Sequence, residues 1–253
     1  MKKYSNNFFH NKNGALSIEF AFCFLLFTIL VFIIYDVYVT LILQNKLERA
    51  NYTVASVFRE RSTLYQDKLK SSSDVYNADL CSSKKTCYDS YELFDSEQVK
   101  EMEELASSLL NNREIALKIE ALFILQDPKN PGDLKKAKLV TQGKDFFSCS
   151  KGSACSKGSI KSYFQSLPAM DKPSNNYQQL APYVPKLVDS SIAMTGRWVP
   201  LYRVSMCIVN EESLYLRWIN SNRKDSGGIV PNLCSNVVVL SRCNNTRFCP
   251  AYF

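Results

Sequence analysis

The sequence predicts an α+β protein: a long N-terminal membrane-spanning and amphipathic helix followed by a disulfide-stapled domain with a helix packed on a small antiparallel sheet. Three observations carry this reading. From Ala15 to Ile34 only Ser17, Glu19 and Thr28 are polar, and about 20 such residues cross a bilayer as one helix. Neither Gly nor Pro interrupts the chain from Ala15 to beyond Tyr65. Eight of the nine cysteines lie beyond the apolar run, in loop-rich sequence.

Residues 1–14 read as a basic leader. They carry Lys2, Lys3 and Lys12 and no acid, which predicts the N-terminus inside and the bulk of the chain outside. The run that follows is longer than the 7–15 apolar residues of an ordinary secretory signal, and no small-x-small site follows it. A lipoprotein-type site at Cys23 is excluded by the bulky Phe22 before it. The chain therefore divides into a transmembrane helix over 15–35 and an amphipathic continuation over 36–66. Leu43, Leu47, Ala50, Val54 and Val57 recur at spacings of three and four, with charged residues filling much of the other faces. Unbroken from Ala15 to about Gln66, the helix would run roughly 75–80 Å. Its stripe has two readings: packing on the chain's own domain, and packing on neighbouring subunits.

A linker over 67–96 holds Cys81 and Cys87, and an outer α+β domain occupies 97–253. Ser96 is the expected N-cap of a helix over 97–111. Ile115, Leu117, Ile119, Ala121, Phe123 and Leu125 alternate with a second set, which favours a strand over a helix. Asp127–Gly132 is a turn, and 138–142 a short returning strand. Loops with one short helix near 160–167 are expected over 143–198. Strands are expected at 198–210 and 237–242, and 214–219 is ambiguous between helix and strand.

Little conventional chemistry is on offer. The only histidine is His10, within the leader, so no Ser-His-Asp or Cys-His mechanism and no imidazole metal site is expected. Gly227-Gly228 lacks the Lys-Ser/Thr of a phosphate loop. Glu103-Glu104 and Glu211-Glu212 are sequence neighbours whose side chains diverge. The net charge of +7 includes the three leader lysines, and the remainder is too mild and dispersed for nucleic-acid binding. Neither a cofactor, a metal, a nucleic acid nor a small-molecule substrate is expected, and the chain reads as no enzyme.

Glu19 is the one acid inside the apolar run. A charge at mid-membrane costs roughly 2.5–3.5 kcal/mol, less near an end, so it needs either a partner or a route to the headgroups. Cleavage after Gly14 would make Ala15 the new N-terminus, about 6 Å along the helix from Glu19. In a bundle of identical helices one chain's ammonium could then face another's carboxylate. A basic leader, Gly14, an apolar helix and Glu19 at +5 together resemble the type IV pilin class, whose members are cut by a prepilin peptidase. Gly14-Ala-Leu-Ser-Ile-Glu-Phe-Ala resembles the processing region of TadE/TadF-type pilin-like proteins of tight-adherence pili. Leu47-Glu-Arg-Ala-Asn-Tyr, Val57-Phe-Arg-Glu-Arg-Ser-Thr-Leu-Tyr and Val199-Pro-Leu-Tyr-Arg-Val-Ser-Met-Cys resemble the TadF branch.

The resemblance implies a minor pilin or pseudopilin of a tight-adherence (Flp-type) pilus, held in the bacterial inner membrane by a single pass. The N-terminus would be cytoplasmic and the bulk periplasmic. The implied partners are the prepilin peptidase, other pilin-like subunits and the pilus assembly platform. The alternative is an uncleaved bitopic anchor whose periplasmic domain binds or adheres.

The eight outer cysteines are expected to form four disulfides in an oxidising compartment. Cys81/Cys87, Cys149/Cys155 and Cys243/Cys249 repeat C-x5-C, a spacing that can be bridged only across a turn. Cys207 would then meet Cys234, with Cys243 as a rival partner for either.

Overall fold

A computed structural model describes residues 12–64, 81–83, 86–87, 90–150, 158–185, 187–189, 192–194, 196–208, 233–243 and 249–253. Helix α1 (Lys12–Arg59) is followed by one turn, α2 (Arg61–Leu64). Strands β1 (Cys81–Ser83) and β2 (Thr86–Cys87) form a hairpin ahead of α3 (Ser96–Leu109). The main sheet contains β3 (Ile115–Leu125), β4 (Lys138–Gln142), β5 (Phe147–Cys149), β10 (Leu201–Ile208) and β11 (Leu233–Leu240). Between these lie α4 (Gly158–Ser166) and the short strands β6 (Tyr183–Val184), β7 (Leu187–Asp189), β8 (Ile192–Met194) and β9 (Arg197–Trp198).

The sheet is antiparallel, in the order β11-β10-β3, with β4 and β5 sharing the far edge of β3. Alternation assigns its two faces. Ile115, Leu117, Ile119, Ala121, Phe123 and Leu125 point to one side with Tyr202, Val204, Met206 and Ile208 of β10. There they meet Leu43, Leu47, Ala50, Val54 and Phe58 of α1 and Val99, Met102 and Ala106 of α3. The core thus lies between the sheet and two helices. Ala116, Leu122, Ile124, Leu201 and Cys207 face the other way, under Ile160 of α4 and the segment holding Met170 and Ala181. Both faces are covered, which explains why β3 becomes apolar on both faces toward its end. The cross-strand pair Arg203 and Glu120 lies on this second face. Its ion pair is buried, with Lys118 adding a contact at 3.1 Å and Arg203 also donating to the Pro168 carbonyl.

Several boundaries differ from the sequence reading. The helix does not run unbroken to Gln66. It breaks at Glu60, where the backbone N–H turns to Val57 O in a three-residue step, and the break carries Arg61 into the interior. Its guanidinium lies over the Phe58 and Phe94 rings and donates to the Tyr91 and Leu93 carbonyls and to Gln98.

Residues 90–95 are no exposed linker: Leu93 and Phe94 are core residues. The N-cap of α3 is Asp95, not Ser96; its extended backbone lets its side chain accept from Gln98 N at 2.9 Å. The helix stops at Leu109, two residues earlier than expected, and Asn111 and Asn112 follow in left-handed conformation.

Residues 147–149, expected as loop, add a strand to β3. Gly143 makes the turn between β4 and β5. It has φ +79°, and a Cβ there would lie 2.5 Å from Ile119 O, so only glycine fits. The strand expected at 198–210 is interrupted at Val199-Pro200, since proline has no N–H for the ladder. The last strand starts at Leu233 rather than 237 and ends at Leu240. Residues 209–210 and 214–219 lie outside the described residues.

The membrane helix, its junction and the buried charge cluster

α1 places the sequence-predicted residues along one rod of 48 residues, about 70 Å long. Gly14 and Ala15 belong to its first turns. Glu19 is exposed, between Ile18 and Phe20, which are themselves 71% and 73% exposed. From there to Ile42 every large apolar residue but the half-buried Val39 is exposed, and Cys23 is an exposed free thiol among them. This part of α1 is long and apolar enough to cross a membrane.

At Leu43 the environment changes. Leu43, Leu47, Ala50 and Val54 are buried against the sheet and α3, and Val57 is half-buried beside them. Of the two readings of the stripe, the structure realises packing on the chain's own domain. Asn51, buried in the same face, donates from Nδ2 to Val204 O of β10 at 3.3 Å and to Ser235 Oγ of β11 at 3.2 Å. These bonds set the position of the rod along the sheet. The opposite face stays open, with Tyr52 61% exposed.

The structure joins Cys207 to Cys234 with an S–S length of 2.02 Å, directly opposed on β10 and β11. Cys243 is joined to Cys249, so Cys243 is no partner of the sheet cysteines. Cys149 is disulfide-bonded, and Cys155 lies outside the described residues. Cys81 and Cys87 sit opposite each other in the β1–β2 register, but their side chains lie outside the described residues.

A cluster that sequence reasoning missed closes the far end of the domain. Glu92, fully buried, accepts from Arg197 at 2.7 Å, Tyr252 at 3.0 Å and Ser241 at 2.8 Å. Its carbonyl accepts from Tyr202 Oη at 2.8 Å, and Ser90 Oγ meets Tyr252 Oη at 2.7 Å. Burial is the largest single influence on Arg197 and lowers its pKa, but the charge and hydrogen bond of Glu92 together with the Tyr252 and Tyr202 phenols outweigh it and the net shift is upward. Burial pushes the Tyr202 phenol up to about 12 and the Tyr252 phenol well above its ordinary value. Every carboxylate oxygen is used internally, so the cluster ties the loop before α3, β9, β10 and the C-terminal segment together. One signal was available: Phe94-Asp95-Ser-Glu-Gln98-Val99 has the pattern of a capped helix start with an apolar staple, Phe94 against Val99. That pattern marks the preceding residues as structured.

Among the described residues no group of three His, Cys, Asp or Glu side chains could hold a metal ion. No curated protein and no solved structure matches the chain. The family model of tight adherence pilin protein F, TadF, matches residues 7–227. That match spans the membrane helix, the junction and most of the sheet, and the chain belongs to the TadF family of tight-adherence pilins.

Proposed function

We propose that the chain is a minor pilin or pseudopilin of a tight-adherence pilus, processed between Gly14 and Ala15 by a prepilin peptidase. The observation that carries this reading is the unfinished half of α1: the run from Ala15 to Ile34 contains one acid, Glu19, a single helical turn from Ala15. Once Ala15 is the N-terminus, its ammonium and the Glu19 carboxylate of a neighbouring subunit lie at matching depth. They attract strongly because the membrane interior screens charge poorly. The N-terminus faces the cytoplasm, the domain faces the periplasm, and the rod is handed to other pilin-like subunits and the assembly platform in the inner membrane.

N-terminal sequencing and intact mass of membrane-extracted protein test the reading. In cells carrying the peptidase the mature chain should begin at Ala15. In a Glu19→Val variant cleavage should persist while co-purification of partner subunits falls. A chain still beginning at Met1 would reduce the protein to an uncleaved anchored domain.

A further inference from the structure

The main sheet ends on one side in β11, and among the described residues nothing pairs with the outer edge of that strand. The register fixes which backbone groups the edge presents. Cys207 and Cys234 oppose each other with Cα atoms 4.1 Å apart, the close spacing of a pair that exchanges no ladder bonds. Ser241, of the other parity, donates its N–H to Pro200 O at 2.9 Å. The N–H and C=O groups of Cys234, Asn236 and Val238 therefore point away from β10, and those of Ser235, Val237 and Val239 point into the ladder. A cleft of about 830 Å³ runs along this edge, between Gln44, Glu48 and Tyr52 of α1 and Tyr163 of α4.

Edge strands that stay unpaired are guarded by charge, proline, a bulge or shortness. β11 has none of these: Leu233–Leu240 is eight residues long, uncharged and without proline, and it keeps register with β10 throughout. The opposite edge is guarded. There the turn at Gly143 separates β4 from β5, and Lys138, Lys144 and Asp145 are exposed along it. A second copy fits β11 in neither way. Its β4–β5 edge is the guarded one. Two β11 edges joined in one antiparallel sheet would be related by a two-fold axis perpendicular to the sheet, which reverses every direction in the sheet plane. α1 lies flat on that sheet, so the two rods would leave in opposite directions and could not enter one membrane with the same polarity.

Resting on the pilin-like reading above, we propose that β11 accepts, as an added strand, an extended segment of a neighbouring pilin-like subunit of different sequence. Main-chain bonds to Cys234, Asn236 and Val238 hold the segment, and its side chains alternate between the Tyr52 and Tyr163 walls. The place of the cleft on the rod points to such a neighbour. Val37, Leu41, Gln44, Glu48 and Tyr52 follow one another at spacings of three and four, on one stripe of α1. Val37 and Leu41 are exposed where the rod leaves the membrane, and the same stripe runs on into the cleft. A subunit packed along the stripe brings its own chain beside β11.

Amide hydrogen exchange of the full-length protein, read residue by residue, tests this. Purified alone in detergent, the Cys234, Asn236 and Val238 amides should exchange fast beside protected Ser235, Val237 and Val239. In complexes isolated from its own membranes with pilin-like partners, the first three should slow by roughly two orders of magnitude. A benzophenone side chain in place of Tyr52 should crosslink in those complexes to one extended segment of the partner. Asn236→Lys supplies the missing guard on an exposed position, and Asn236→Pro removes only an outward N–H. Both should lower partner recovery by up to about tenfold and leave the melting midpoint in place, whereas Val237→Pro, which removes a bond to β10, should lower the midpoint. Edge amides already protected in the protein alone, or Tyr52 crosslinks to residues 209–232 of the same chain or to a second copy, overturn the proposal. So do edge amides that stay fast in complexes containing partners, and partner recovery unmoved by both Asn236 substitutions. Recovery of no pilin-like partner at all would instead overturn the pilin-like reading, and the added strand with it.

Discussion

Leu30 and Leu47 stand on the same uninterrupted helix, yet Leu30 is 53% exposed and Leu47 fully buried. The outer half of α1 is finished by its own domain: the stripe is capped by β10, β11 and α3, and Asn51 locks the register. The membrane half has no such cover within the chain. Its apolar surface is completed only by lipid or by neighbouring helices. The two halves share secondary structure and local composition rules, so helix formation by itself distinguishes nothing. What separates them is whether the chain supplies the opposing surface. A subunit built this way brings a self-sufficient domain to an assembly and leaves one rod face for others to complete.

The sharpest way to break this contrast is at Glu92. Removing one partner of a buried ion pair leaves an uncompensated charge, costing about 3–5 kcal/mol. Glu92→Ala would strand Arg197 and free the Tyr252 and Ser241 hydroxyls. Urea unfolding followed by far-ultraviolet circular dichroism should show that loss, while Glu19→Ala leaves the domain's midpoint in place. A cost below about 1 kcal/mol for Glu92→Ala would mean that the far end of the domain is held by packing alone.

A somewhat smaller effect separates the two leucines themselves. Leu47→Ala deletes a fully buried side chain and should cost about 2–4 kcal/mol by transfer and cavity terms. Leu30→Ala should change domain stability by less than about 0.5 kcal/mol, and its effect should be confined to membrane partition or subunit association. If both substitutions destabilise the domain equally, the halves are coupled and the contrast fails.

Much of this was legible from periodicity. The odd positions of β3 and the spacing of Leu43, Leu47, Ala50 and Val54 marked core faces because each pattern repeats within a single element. What was not legible depends on distant partners. Glu92 sits in polar, linker-like sequence and becomes structural only when Arg197 and Tyr252, more than 100 residues on, fold against it. The pair Arg203 and Glu120 requires the β3–β10 register. The break at Glu60 has no Gly or Pro to announce it. It follows from the interior sites that receive Arg61, and these come from residues 91–98.

The last effect is silent at neutral pH and is read only in alkali. Tyr202 is buried against the Glu92 carbonyl, and its phenol is raised from 10.0 to about 12, mainly by burial. Tyr252 is raised in the same direction, with the Glu92 charge adding to burial. Below pH 10 both phenols are protonated in the folded and unfolded states, so the contribution of the shift is fully present. Between about pH 10 and 12 the unfolded chain releases these protons while the native chain holds them, and stability falls as pH rises. Two pKa units at one phenol correspond to about 3 kcal/mol, so the domain should unfold cooperatively within that window. Phenolate absorbance should rise together with the loss of native circular dichroism. Tyr202→Phe removes one titrating group and one hydrogen bond. It should be less stable by about 1 kcal/mol at pH 7 yet lose less stability than wild type between pH 10 and 12. Full phenolate absorbance at pH 11 with native circular dichroism intact would show that the two tyrosines ionise without unfolding, and that the cluster around Glu92 is open to solvent.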